Sequence, residues 1–117
     1  MTESWVPRLY EDYLDTIGRC TSELRQQSDE EIEYQLYEQF DGGAWSFLHE
    51  DNLIKLRDAG YIDDEMMAMS KEVRRLWLAL REKSWTVAEI RTRKEWQELF
   101  ELCDRLRLKS LKRPRET

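Results

Sequence analysis

Met66, Met69, Val73, Leu76 and Leu80 follow one another at steps of three, four, three and four residues. An α-helix, with about 3.6 residues per turn, puts such positions on one face, whereas a strand would scatter them. Asp63 or Asp64 stands where an N-cap belongs. The pattern therefore predicts a helix from there to about Lys83, with Met67 and Trp77 flanking the apolar seam. Three methionines at its head could form an adaptable surface. At the start of a stripe that continues to Leu80, they read as core.

The same period governs the rest of the chain. Pro7 suits a first helical turn, and Leu9, Tyr13, Leu14, Ile17, Cys20 and Leu24 predict a helix over about 7–26. Gly18 inside it is either a weak point or a close helix approach. Ser28-Asp29-Glu30-Glu31 has the form of a capping box, and Ile32, Leu36 and Phe40 give the second helix its buried stripe. The Gly42-Gly43 pair is expected to end that helix, leaving residues 44–48 as a short apolar insert. A third, short helix is expected over Asn52 to Ala59, stopped by Gly60. Thr86 with Glu89, and Thr92 with Glu95, offer two more capping boxes. Trp96, Leu99, Phe100, Cys103 and Leu106 mark the last helix.

Only four glycines and two prolines punctuate the chain. There is no alternating Val/Ile/Thr run of strand length and no solenoid repeat. The expected fold is all-α: a compact bundle of four main helices plus one or two short ones. Residues 1–108 read as a single helical domain and 109–117 as a frayed basic tail.

Catalytic chemistry finds little to work with. His49 is the sole histidine, and helical metal-ligand spacing fails around it, since residue 46 is Ser and residue 52 is Asn. A helix-start or loop role fits it better. Acidic pairs at 30–31 and 63–65 lie at predicted helix starts, where the macrodipole favours them. Gly42-Gly43 lacks the Gly-Lys-Ser/Thr ending of a phosphate loop. The reading is therefore a non-enzyme with no catalytic residue, no metal site and no cofactor. Cys20 and Cys103 read as two buried thiols in a reducing cytoplasm. The N-terminal residues lack the basic and apolar regions of a signal peptide. No stretch is long and apolar enough to span a bilayer, so the expectation is a cytoplasmic protein with no membrane partner.

Charge is distributed unevenly. Residues 1–60 hold five basic and fourteen acidic side chains, whereas residues 61–117 hold fourteen and eleven. An acidic body disfavours nucleic acid. Arg105, Arg107, Lys109, Lys112, Arg113 and Arg115 form a basic run without aromatic interleaving. It suits the C-terminal end of a helix, where cations meet the dipole.

Ser28 to Leu53 contains eight carboxylates and no Lys or Arg. On a helical wheel Ile32, Leu36 and Phe40 take the core side. Glu30, Glu31, Glu33, Tyr34, Tyr37, Glu38 and Asp41 collect opposite. A charged face is often merely solvated, and either tyrosine could pack on a neighbouring helix. Tyrosines ringed by carboxylates are also what a surface for a basic partner needs: large rigid contact area, with charge to steer and to accept from Arg or Lys. Glu30, Glu33, Tyr34, Tyr37, Glu38 and Asp41 are the contact candidates, with Glu50 and Asp51 as an extension of the patch.

The segments Phe40-Asp-Gly-Gly-Ala-Trp-Ser-Phe-Leu-His-Glu-Asp-Asn-Leu53, Leu56-Arg-Asp-Ala-Gly-Tyr-Ile-Asp63, Ser70-Lys-Glu-Val-Arg74 and Trp96-Gln-Glu-Leu-Phe-Glu-Leu-Cys-Asp104 resemble small helical immunity proteins. Those proteins accompany bacterial polymorphic toxins, including contact-dependent growth inhibition systems. The resemblance implies a cytosolic antitoxin that binds and blocks a cognate toxin domain, commonly a nuclease with a basic site. The alternative is a helical adaptor or regulatory subunit that binds another cellular protein by the same physics.

Overall fold

The computed structural model of the chain describes residues 5–112, and they form an all-α bundle. Helix α1 is Val6–Gly18, followed by a 3-10 turn at Ser22–Gln26. Helix α2 is one continuous path over 29–46 in three registers: α at Asp29–Glu33, π at Tyr34–Phe40 and α again at Asp41–Ser46. Helices α3 (Glu50–Asp58), α4 (Asp64–Leu80), α5 (Val87–Thr92) and α6 (Lys94–Lys112) complete the fold. The long α4 and α6 pack on each other, and α1 lies across α6 and α3. The last third of α2 rests on α4 and α1.

The helix starts at Ser28, Asp63 and Thr86 are where the sequence puts them, while α3 begins two residues earlier than expected, at Glu50. Asp63 accepts the Met66 N–H at 2.7 Å, and Thr86 and Glu89 exchange the two bonds of a full capping box. Ser28 accepts from Glu31 N–H, while the Glu31 carboxylate takes the Gln35 amide at 2.6 Å. His49 is an N-cap: its Nδ1 accepts the Asp51 N–H at 3.1 Å. Gly60 stops α3 in the left-handed region, at φ 86°. Thr92 differs from expectation. It ends α5, with its hydroxyl donating back to the Ala88 carbonyl at 2.8 Å.

Three boundaries depart from the periodic reading. The expected helix over 7–26 breaks after Gly18, because Asp104 of α6 captures the chain there by accepting from both the N–H and the hydroxyl of Ser22. Cys20 and Leu24 stay buried across the break, so the pattern held while the helix did not. Helix α4 stops at Leu80, whose carbonyl receives the Trp85 indole N–H at 2.7 Å. Helix α6 runs through Lys112 instead of fraying at 109, helped by a Lys109–Glu65 ion pair at 2.7 Å. Arg113 and Arg115 of the basic run lie outside the described residues.

The largest departure concerns the glycine pair. Gly42 and Gly43 lie inside α2 and do not end it. A Cβ on Gly43 would sit 2.2 Å from Thr16 Oγ1 and 2.8 Å from its Cγ2. The glycine is what lets α2 and α1 cross in contact, and the apolar insert at 44–48 is the end of the same helix.

The core face of α4 is rotated from the expected seam. Met66, Met67, Ser70, Val73, Trp77 and Leu80 are buried, whereas Met69 and Leu76 are only partly so. Ser70 Oγ donates to the Met66 carbonyl at 2.8 Å. With that proton committed, the Tyr13 hydroxyl donates to Ser70 at 2.7 Å. Burial pushes the Tyr13 phenol well above its ordinary range, against the pull of the Ser70 bond. Cys20 and Cys103 are buried free thiols, and burial first, then the neighbouring Cys103, raises the Cys20 thiol.

Candidate partner-binding face

The buried stripe of α2 extends beyond Phe40. Ile32, Leu36, Phe40, Ala44 and Leu48 are all fully buried at a constant step of four. A straight α-helix cannot hold that stripe against a core, since each step of four advances it by roughly 40°. The π turn, with its i→i+5 pattern, takes more residues per turn and swings the stripe back. Four-residue spacing over 32–48 and a π segment in its middle are thus one fact seen twice.

That same turn carries both tyrosines of the acidic stretch. Tyr34 is 49% exposed and Tyr37 40%. The Gln39 amide donates to the Tyr34 hydroxyl at 2.8 Å, a five-residue pairing that the wider turn permits. The Tyr37 ring leans on Trp77 at 5.8 Å between centroids. Its hydroxyl pKa is raised, first by partial burial and then by the Glu33 carboxylate. Glu30, Glu33 and Glu38 are exposed around the two rings, and no ion pair engages them among the described residues. The structure therefore brings Glu30, Glu33, Tyr34, Tyr37 and Glu38 onto one open surface. No family model matches this chain, and no match emerges among curated proteins or solved structures.

Asp41 does not belong with them. It is half-buried, with its Oδ1 accepting the Trp77 indole N–H at 2.7 Å and lying 3.5 Å from Arg81 Nε. Trp77 is fully buried, so Asp41 is the acceptor that its N–H requires. Glu50 and Asp51 sit in the first turn of α3. Glu50 pairs with Lys71 at 3.4 Å and Asp51 lies 3.8 Å from His49. They serve a helix start and one ion pair, apart from the tyrosines.

Trp45 is what the residue pattern missed. The pattern places it in an apolar insert, yet it is 56% exposed. The guanidiniums of Arg74 and Arg81, from α4, approach its ring at 5.2 and 5.9 Å. Once the glycines are read as helical, Tyr37, Asp41 and Trp45 fall at steps of four along the edge facing α4. That spacing was the available signal.

Among the described residues no three His, Cys, Asp or Glu side chains are grouped to hold a metal ion. No helix there is long and apolar enough to cross a membrane.

Proposed function

We propose that the chain is an immunity-type binding protein that neutralises a cognate toxin domain, most fittingly a nuclease, by covering its basic site. The observation that carries this reading is the π turn of α2. It carries two half-exposed tyrosines, flanked by Glu30, Glu33 and Glu38, which no cation among the described residues engages. π turns within helices are uncommon and recur at functional sites. Rigid aromatic rings give contact area at low entropy cost, and unpaired carboxylates steer a basic surface and accept from its Arg and Lys. The mechanism is occlusion: charge raises the association rate, and the tyrosines, once covered, slow release.

The test is co-expression with the product of the gene immediately upstream, followed by co-purification and a toxicity rescue. A stable complex that restores growth supports the reading. A complex with a non-toxic protein points to the adaptor role instead. Tyr37→Ala and Glu33→Lys should each weaken the complex by more than about 1 kcal/mol. Unchanged affinity in both variants removes the tyrosine face from the interface.

A further inference from the structure

The seam between α2 and α4 has chemistry opposite to the tyrosine face. Arg74, Leu78 and Arg81 recur at steps of four and three along α4, so they share one side of it. Trp45 faces them from α2. Together Trp45, Leu78, Arg81 and Glu82 line an open cleft of about 490 Å³.

The two arginines differ in how far their charge is spent. Arg81 lies near Asp41. Arg74 bonds only main-chain carbonyls, with Nε on Ala44 at 3.1 Å and Nη2 on Trp45 at 3.4 Å. No carboxylate neutralises it among the described residues. Of its five N–H donors these bonds use two, leaving both Nη1 hydrogens and one on Nη2. These contacts fix the fork beside the exposed indole, so little entropy is left to lose on binding. A planar fork matches a carboxylate, and a cation near an indole strengthens as water leaves. Tryptophan and arginine are also the residue types that dominate binding hot spots.

We infer that this seam docks an acidic protein segment, with Trp45 as its apolar anchor and the Arg74 guanidinium, aided by Arg81, receiving a carboxylate. Leu78 supplies the floor for an apolar side chain next to that carboxylate. Glu82 at the rim and Asp41 beside Arg81 disfavour a polyphosphate chain in the same place. The occupant is therefore a protein segment carrying few charges, and not nucleic acid.

The probe is a twelve-residue peptide of Leu, Phe, Ser and Gly with two Glu placed next to its apolar residues, alongside a twin with Lys for Glu. Its binding is read on the indole N–H resonances, with Trp45 assigned through Trp45→Phe. The Glu peptide should move the Trp45 resonance, and Arg74→Glu should weaken it at least tenfold. Arg74→Lys, which keeps the charge without the fork, should fall in between and controls for folding. Tyr34→Ala should leave this binding unchanged, so failure here is separable from failure of the tyrosine face. The inference is overturned by an unmoved Trp45 signal at millimolar peptide, by equal response to the Lys twin, or by an unaffected Arg74→Glu. Trp45-dependent self-association would overturn it too, by making a second copy the occupant.

Discussion

The middle of α2 and its C-terminal end use similar residues for different purposes. At its C-terminal end, Gly43 meets Thr16, Asp41 holds the Trp77 indole, and Trp45 sits beside two arginines. Nearly every group there has a partner within the chain. In the π turn and just before it, Tyr34, Glu33 and Glu38 are exposed on a well-anchored backbone, and Tyr37 is half-exposed while leaning on Trp77. Around the π turn the carboxylates are left open to a basic partner, whereas at the C-terminal end the acid is committed to Trp77 and the open groups are the Trp45 ring and the Arg74 fork. Acidic character alone cannot separate the two stretches, whereas partners within the chain can.

The sharpest way to break that contrast is Gly43→Ala. The added methyl overlaps Thr16, and overpacking of this kind costs about 1–3 kcal/mol. Thr16→Ala removes the two closest atoms, so the double variant should recover a good part of the loss in chemical denaturation. Additive losses would mean that Gly43 serves some purpose other than the helix crossing.

Asp41→Ala comes next. It leaves the Trp77 N–H buried without an acceptor, at about 1–3 kcal/mol, and Asp41→Asn should restore most of that. If Asp41→Ala is neutral, the residue returns to the list of free surface carboxylates.

Tyr13 gives a pH test of the same size. Its folded pKa is raised above the ordinary 10.0, chiefly by burial. Above pH 10 the unfolded chain loses that proton while the folded chain keeps it. The stabilisation is thus full below pH 10 and falls as pH rises past it, by up to about 1.4 kcal/mol per pH unit. Tyr13→Phe should flatten this dependence. A profile unchanged by the substitution would mean the phenol is not held in the core.

The smallest effect expected is Tyr34→Ala, within about 0.5 kcal/mol of the natural stability. A larger loss would mean that the π turn is part of the fold's support and would weaken the contrast itself.

Much of this fold is legible as periodicity. The fold class, the caps at Ser28, Asp63 and Thr86, the stop at Gly60 and the buried face of α6 all follow from local rules. What escaped depends on partners distant in sequence. Asp104 ends the first helix from 82 residues away, and Thr16 explains Gly43 in a pair that locally looks like a terminator. The π turn was half-visible, as a step of four held too long for an α-helix. At the candidate face, the exposed tyrosines followed from the wheel. Asp41 did not, because its acceptor role is fixed by Trp77 on another helix.

The central claim is that the outward side chains on and beside the π turn of α2 form a binding surface, while its inward side chains serve the core. Its most direct test is calorimetric titration of the co-purified partner against the natural chain, Tyr37→Ala and Glu33→Lys, with thermal unfolding of each. The account predicts at least about a fivefold weaker complex for each variant, with unfolding shifted by only a few degrees. Affinity unchanged in both variants, or lost only in step with folding, would contradict it.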